Sequence, residues 1–244
     1  MTNFFQKLFS LPPERTGFPV NTRIPTEQGI KRIDEIKVGD RVLCKQRVED
    51  KPSYQPVKKI YQLQEKPVWG LSYIRLPTDK IIDSLFDIKM LSMHGHLSTA
   101  AVMPTQEVWL KGSGWTPMQE LGLNDEIDAN SDEFSAVIFS TLPIRQTNFS
   151  NISANESIRN IVDADQRGET IDDVDYFHFR LHDKRGDLVA RLNDGNDDPS
   201  PVELEDGQKV VVSDKVFTQT LYGLELPKGY HHYIWKLWVK SSPT

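Results

Sequence analysis

The sequence predicts an all-β fold, and three features of the chain lead to that prediction. Short runs rich in valine and isoleucine recur along the chain, and turn-forming residues separate them. Residues 26–29 have the composition of a hairpin turn, in which Gly29 is free to adopt a positive φ. The chain closes with an apolar and aromatic stretch at 233–239, which is typical of a buried strand.

The predicted strands are short and are spread over most of the chain. Gly39 and Asp40 form a second turn that leads into a strand, and a turn at 183–186 predicts a hairpin in the more polar second half. The predicted strands cover residues 41–44, 57–63, 68–76, 101–110, 176–182, 188–192, 209–212, 217–226 and 233–239.

Helical patterns are few, and they define the expected domain organisation. Apolar residues in 1–11 recur at helical spacing, a short helical turn is predicted at 117–121, and a helix at 154–165. Residues 85–97 fit either a helix or a strand. We therefore predict an N-terminal helical extension (1–16), a first part of the β core (17–127), an α+β insertion of one helix and one hairpin (128–200), and closing core strands (201–244).

The charge and hydropathy pattern argue against several classes of function. The chain has 35 acidic and 29 basic residues, a formal net charge of −6, and no run rich in lysine and arginine, so we expect no nucleic-acid binding. No apolar run approaches the ~18 residues of a membrane span. The N-terminal segment also lacks the long apolar core of a secretory signal. We therefore expect a cytoplasmic protein without a membrane span.

The residues that often bind metals do not form a recognisable site. Cys44 is the single cysteine, which excludes an internal disulfide and a Cys-rich metal site, and we expect it to be a small buried apolar residue. His94 and His96 lie close together, but two ligands without a third do not specify zinc. The acidic stretches at 172–175 and 194–198 lack the ligand spacing of an EF-hand. We expect neither a metal nor a cofactor.

Three separated stretches resemble sequence blocks of the Hint (Hedgehog/intein) family, most closely its bacterial pretoxin type. Residues 21–40 are similar to the opening block, GT.V.T..G...I..I..GD.V. Residues 108–125, with Gly114-Trp115, resemble the block ending in fw...GW..a..L..GD. Residues 222–233, with His231, resemble the closing vYnl.v...HtY. The resemblance implies an all-β Hint fold of long, curved β-hairpins with two halves related by a pseudo-two-fold.

The resemblance also implies a reaction. In the family, a first-residue cysteine or serine attacks the carbonyl before it, and the histidine of a TxxH motif helps the amide nitrogen leave. Here the nucleophile position falls on Gly17, which has no atom with which to attack. The TxxH motif falls on 103–106, where Met103 replaces the threonine and Gln106 the histidine. Glutamine donates a hydrogen bond but is not an acid near neutral pH.

The distal junction differs from the family pattern in a similar way. The terminal His-Asn pair, whose asparagine cyclises in splicing relatives, falls on Lys240 and Ser241. Serine cannot form a succinimide. His231 matches the closing-block histidine, and we expect it to be a packed or hydrogen-bonded relic. The matching positions therefore predict a degenerate site at Gly17, Met103, Gln106, His231, Lys240 and Ser241.

We therefore expect a catalytically inactive, free-standing Hint-like protein, because only 16 residues precede Gly17 and only a few follow the distal junction. Its expected role is to bind another protein, as an inhibitor, chaperone or adaptor of a polymorphic toxin system or toxin polyprotein. The insertion 128–200 and an aromatic cluster containing Trp235 and Trp238 are the candidate interfaces. The alternative is residual self-cleavage with a non-standard nucleophile such as Thr16. The oligomeric state stays open.

Overall fold

Antiparallel strands form almost all of the regular structure of this protein. The computed structural model describes residues 15–77, 91, 97–131, 134–158, 176–183, 188–191, 202–203 and 207–241. Short 3-10 turns lie at Ile33–Glu35 and Met118–Glu120. The first ten strands are β1 (Arg23–Thr26), β2 (Gly29–Arg32), β3 (Arg41–Lys45), β4 (Ser53–Pro56), β5 (Lys59–Pro67), β6 (Trp69–Pro77), β7 (Leu97–Val102), β8 (Glu107–Leu110), β9 (Gly114–Pro117) and β10 (Glu126–Ile127). The others are β11 (Phe134–Pro143), β12 (Arg145–Thr147), β13 (Ile152–Ile158), β14 (Tyr176–Asp183), β15 (Leu188–Arg191), β16 (Val202–Glu203), β17 (Lys209–Val210), β18 (Val212–Val216), β19 (Thr218–Glu225), β20 (His231–Ile234) and β21 (Leu237–Val239).

Twelve of the strands pair into one large antiparallel sheet. Its main path runs β2-β1-β3-β20-β21-β8-β10-β11-β6-β7, with β4 paired to β3 and β9 paired to β8. Strands that are distant in sequence meet in this sheet, since Cys44 in β3 lies opposite His232 in β20, and Val239 in β21 lies opposite Val108 in β8. The last strands of the chain therefore lie between β3 and β8.

The strands β5 and β19 form a separate long antiparallel pair, with Glu225 opposite Lys59 at one end and Thr218 opposite Pro67 at the other. The second edge of β19 is paired at one point, where Phe18 and Tyr222 form an isolated bridge. This bridge attaches the start of the described chain to β19.

The predicted hairpin turn at 26–29 is confirmed, and local chemistry explains it. Thr26 Oγ1 donates a hydrogen bond to the Gly29 carbonyl at 2.6 Å and accepts one from the Gln28 amide at 3.2 Å. Gly29 has a φ of 111°, a conformation that residues with a side chain rarely adopt. The turn sets the register of β1 on β2, with Ile24 opposite Lys31.

The core of the protein lies on the large sheet and extends to β19. Cys44 is fully buried in it, as predicted, and burial raises the pKa of its thiol. Full burial of one large apolar side chain contributes about 1.5–3 kcal/mol. Apolar side chains from both ends of the chain contribute to this core, and they include Phe18, Ile24, Ile33, Val42, Val108, Met118, Ile127, Leu224, Ile234, Leu237 and Val239.

The region 128–200 differs from its prediction in its helix and in its additional strands. The helix predicted at 154–165 is wrong where the structure describes it, because residues up to Ile158 belong to β13. Strand β13 is paired on both sides, to β12 and to β14, and Ile152 and Ala154 are buried. Pairing with two neighbouring strands outweighs the weak helical preference of the segment.

The rest of this region contains both expected and unexpected strands. The predicted hairpin is confirmed, since β14 pairs with β15. These two strands join β13, β12 and β18 in a five-stranded sheet. In contrast, β11 belongs to the large sheet, where it pairs with β6 over nearly its whole length. The large sheet thus continues beyond residue 127, where we predicted the insertion to begin.

The prediction of one strand at 233–239 is wrong, because β20 and β21 are two strands that pair with each other around Trp235, which has a φ of 50°. The predicted β region 101–110 is interrupted between β7 and β8. Other local predictions agree with the described part of the structure. The strands predicted at 41–44, 57–63, 68–76 and 217–226 correspond to β3, β5, β6 and β19, and the helical turn at 117–121 is the 3-10 turn Met118–Glu120. The helix at 1–11, most of the ambiguous segment 85–97, His94, His96 and the acidic stretches 172–175 and 194–198 lie outside the described residues.

Among the residues that the structure describes, no helix is long and apolar enough to cross a bilayer. Over the same residues, no group of three or more histidine, cysteine, aspartate or glutamate side chains is arranged to hold a metal ion.

Candidate functional site

Gly17, the predicted nucleophile position, is buried against the backbone of β19. The next residue, Phe18, exchanges two hydrogen bonds with Tyr222, each 2.8 Å from nitrogen to oxygen. A Cβ atom added to Gly17 would lie 3.0 Å from the Tyr222 carbonyl oxygen and 3.1 Å from Leu221 Cβ. These distances are shorter than ordinary van der Waals contacts, so the strand pairing leaves little room for a side chain at this position.

The carbonyl that a nucleophile at position 17 would attack is hydrogen bonded. The hydroxyl of Tyr61 donates to the Thr16 carbonyl oxygen at 2.7 Å. Tyr61 lies directly over Gly223, where an added Cβ would be 2.1 Å from the phenol Cζ. The guanidinium of Arg15 lies 5.0 Å from the centre of the Tyr61 ring. The proximal junction therefore has a donor on its carbonyl but no attacking atom.

The two residues at the TxxH positions have different surroundings. Met103 is buried in a small apolar cluster with Val68, Ile144 and Leu221, and it serves as a core residue. Gln106 is fully buried, and its Nε2 donates to the carbonyl oxygens of Glu107 and Lys240, both at 2.9 Å. These two carbonyl acceptors identify the nitrogen of the amide group. The structure therefore places the Gln106 donor at the distal junction.

The distal junction brings two adjacent histidines to Ser241. His232 is fully buried, and its Nδ1 lies 2.7 Å from Ser241 Oγ. The Ser241 amide donates to His231 Nδ1 at 3.2 Å. The ring of His232 also packs edge-to-face on Phe18, with ring centroids 5.6 Å apart. His232 thus links the residue after Gly17 to Ser241, so the two predicted junctions lie near each other.

The environment keeps both histidines neutral. Burial, with a smaller contribution from the positive charge of Lys240, lowers the pKa of His231 to about 4. Burial, with a smaller contribution from His231, lowers the pKa of His232 to about 3. Each imidazole is therefore unprotonated at neutral pH and can accept a hydrogen bond through one ring nitrogen.

Lys240 is fixed by both its backbone and its side chain. Its amide donates to the Glu107 carbonyl at 2.9 Å, and its ammonium forms an ion pair with the Glu107 carboxylate at 2.6 Å. The position that the resemblance assigns to a histidine thus holds a cation anchored to β8.

The sequence interpretation missed two residues of this site, His232 and Tyr61. The adjacent pair of histidines was a signal, because neighbouring residues of a strand point to opposite faces and only one of them can face the core. Tyr61 carried no such signal, because its contact with Thr16 depends on the long-range pairing of β5 with β19.

The C-terminal aromatic cluster closes the core on one side and reaches the surface on the other. Trp238 is fully buried, and its indole donates to the His231 carbonyl at 3.1 Å. Trp109 and Trp115 are partly exposed, and they pack edge-to-face on each other with ring centroids 5.3 Å apart. Both rings also contact Trp238, at 5.4 Å and 4.7 Å.

Comparisons with known proteins give a likeness in structure only. No protein-family profile matches the chain, and no curated protein matches its sequence. The crystal structure of the Ssp DnaB mini-intein variant M86 aligns over 96% of this chain and 99% of its own, with a TM-score of 0.51 and 10% identity. An intein-like domain from Clostridium thermocellum aligns over 93% of this chain and 99% of its own, with a TM-score of 0.45 and 12% identity. The curled antiparallel sheet and the first of these alignments show that the chain has the all-β Hint fold of the inteins.

Proposed function

We propose that this chain is a Hint-fold protein that has lost the reaction at its proximal junction and acts by binding another protein. Gly17 is the observation on which the proposal depends. A nucleophilic reaction needs the attacking atom itself, and no environment can supply it to a glycine. The close approach of Leu221 and Tyr222 supports the same interpretation, because it makes the glycine a packing requirement of the bridge to β19.

The position of the Tyr61 hydroxyl argues against the alternative nucleophile, Thr16. A hydroxyl at position 16 would attack the carbonyl of Arg15, one residue upstream. The Tyr61 donor instead lies on the carbonyl of Thr16, which is the group that residue 17 would attack. The polarised carbonyl and the Thr16 hydroxyl are thus out of register by one residue, and this favours binding over self-cleavage at this junction.

The partly exposed pair Trp109 and Trp115 is the binding surface that we propose. Tryptophan supplies much of the binding energy in protein interfaces, and it does so best where a buried neighbour holds the rings rigid. Trp238 provides that support beneath both rings. The partner is another protein, and the resemblance to pretoxin domains favours a toxin or a toxin polyprotein.

The test has two parts. Intact-mass spectrometry over several days should show no break between Thr16 and Gly17, and a break there would contradict the loss of this reaction. The second part compares capture of a candidate toxin polyprotein by the unchanged chain, by Trp115→Ala and by Ile30→Ala. Ile30 is a suitable control because it is an exposed apolar residue, with 66% of its surface accessible, on a different strand. Equal capture by all three would contradict the proposed surface.

A further inference from the structure

Several polar groups converge on the peptide bond between Lys240 and Ser241. Ser241 Oγ lies 2.7 Å from His232 Nδ1, and the Ser241 amide nitrogen lies 3.2 Å from His231 Nδ1. The Lys240 carbonyl oxygen accepts a hydrogen bond from Gln106 Nε2 at 2.9 Å. The hydroxyl, the nitrogen and the carbonyl oxygen that take part in an acyl transfer therefore each have a polar partner.

The hydrogen-bond arrangement fixes the direction of the bond between Ser241 and His232. The Ser241 oxygen already accepts a hydrogen bond from the His232 backbone amide, at 3.2 Å. The hydroxyl hydrogen is therefore directed at Nδ1, the other partner that the structure describes for this oxygen. His232 is neutral at this position because burial lowers its pKa to about 3. A serine hydroxyl that donates to a neutral imidazole is the arrangement of an activated nucleophile.

The carbonyl of Lys240 is bound by a preorganised donor. Gln106 is fully buried, and a second bond from Nε2 to the Glu107 carbonyl holds its amide group in place. The Lys240 amide in turn donates to the same Glu107 carbonyl. A fixed donor in a largely buried site stabilises the negative charge that develops on a carbonyl oxygen under attack. Ser241 has 5% of its surface accessible, so it lies in such a site.

We propose that the bond between Lys240 and Ser241 undergoes an N-to-O acyl shift in which Ser241 is the nucleophile and His232 the base. Ser241 Oγ attacks the Lys240 carbonyl carbon, and its proton passes to His232 Nδ1. The carbon–nitrogen bond then breaks, and the nitrogen keeps the electron pair and takes the proton from His232. The product is an ester of Lys240 on Ser241 Oγ with a free α-amine. Water then hydrolyses this ester to the Lys240 carboxylate and the Ser241 hydroxyl.

Gln106 and His231 have separate roles in this step. Gln106 binds the carbonyl oxygen as it becomes negative, which makes it a catalytic residue. His231 accepts the Ser241 N–H and holds the nitrogen that leaves, which makes it a positioning residue. The strongly lowered pKa of His232 makes this imidazole a weak base. The shift is therefore expected to proceed slowly.

This reaction goes beyond the proposed binding function and does not depend on it. It uses the opposite junction, needs no atom at Gly17 and breaks a different bond. A break between Thr16 and Gly17 would contradict the proposed function, whereas the acyl shift predicts a break between Lys240 and Ser241. Mass spectrometry distinguishes the two because the fragments differ in size.

The test treats the folded, full-length chain with hydroxylamine at neutral pH and follows its intact mass. Hydroxylamine attacks an ester but leaves an ordinary amide intact. We expect the loss of residues 241–244 and a hydroxamate on Lys240. Ser241→Ala should not lose residues 241–244. Ser242→Ala, the control, keeps the Ser241 hydroxyl and should react at the rate of the unchanged chain. Gln106→Ala should slow the reaction by about 10²–10³-fold, the typical effect of one carbonyl donor.

Two further variants keep the test decisive if Ser241→Ala fails to fold. Ser241→Cys retains a nucleophile and should form a thioester that also reacts with hydroxylamine. His232→Gln should slow the loss by about 10²-fold or more, which is the usual contribution of a general base. Circular dichroism checks that each variant is folded. An unchanged mass for the folded, unmodified chain would overturn the proposal, and so would equal fragment release from folded Ser241→Ala.

Discussion

Replacement of Gly17 tests whether this position is a packing requirement or only a missing nucleophile. An alanine Cβ there would lie 3.0 Å from the Tyr222 oxygen and 3.1 Å from Leu221 Cβ, so β19 or the bridge must shift by a few tenths of an ångström. Overpacking of this kind costs about 1–3 kcal/mol. For a chain of this size, that cost lowers the melting temperature by about 2–12 °C.

Gly122→Ala is the matched control for this experiment. A Cβ at Gly122 would lie 3.9 Å from Asp125 Oδ2, an ordinary contact, so a glycine is lost without overpacking. Calorimetric melting of Gly17→Ala, Gly17→Ser and Gly122→Ala should therefore show a marked loss of stability for the first two only. If the Gly17 variants melt together with the control, the bridge tolerates a side chain and the packing argument is wrong.

Gly17→Ser adds a chemical outcome to this stability test. The variant regains a hydroxyl beside the carbonyl that Tyr61 polarises. Gln106 still cannot supply a proton to the leaving nitrogen. We expect its intact mass to stay unchanged at this junction. Rapid cleavage before residue 17, with normal stability, would show that the missing nucleophile was the only defect.

Three other variants test the packing and electrostatics around the site. Gly223→Ala should destabilise the chain more than Gly17→Ala, because the added Cβ would lie 2.1 Å from the Tyr61 ring, and calorimetry measures the difference. Asp128→Asn should cost about 3–5 kcal/mol in urea unfolding, because it leaves Lys45 buried without the carboxylate that lies 2.5 Å from its ammonium. The lowered pKa of His231, about 4 against 6.5 in the unfolded chain, gives stability that is complete above pH 6.5 and is lost as the pH falls towards 4. Urea midpoints should fall over that window and fall less steeply in His231→Gln, and parallel pH profiles would contradict the assignment.

The parts of the fold that the sequence predicted correctly depend on local chemistry. The hairpin at 26–29 follows from hydrogen bonds within the turn and from the positive φ of Gly29. Strands β3 and β6 follow from short apolar runs between turns. The failure at 154–158 has the opposite cause, because β13 is a strand through its pairing with β12 and β14. Pairing between distant segments is not encoded in any one window of the sequence.

In the candidate site, too, the sequence predicted the altered positions but not the contacts that depend on long-range strand pairing. Comparison with the family pattern identified Gly17, Gln106 and Ser241 as altered positions, and the structure describes contacts for all three. It could not indicate that Gln106 donates to the Lys240 carbonyl, because that contact requires β8 and β21 to be neighbours. It also selected His231, which accepts a hydrogen bond from the Ser241 amide, but it missed His232, whose side chain bonds to the Ser241 hydroxyl. Which of two adjacent histidines faces inward depends on the register of β20.

The two predicted junctions differ in whether they contain a nucleophile, and this difference separates the two proposals. The proximal junction has a donor on the Thr16 carbonyl but no nucleophile, since Gly17 carries no side chain. The distal junction has a hydroxyl, a neutral imidazole and a carbonyl donor around one peptide bond. Because Phe18 packs on His232, a shift of β19 caused by a side chain at position 17 should also disturb the distal groups. Gly17→Ala should therefore slow the release of residues 241–244, whereas Gly122→Ala should not. Equal release from both variants would show that the distal groups function independently of the bridge to β19.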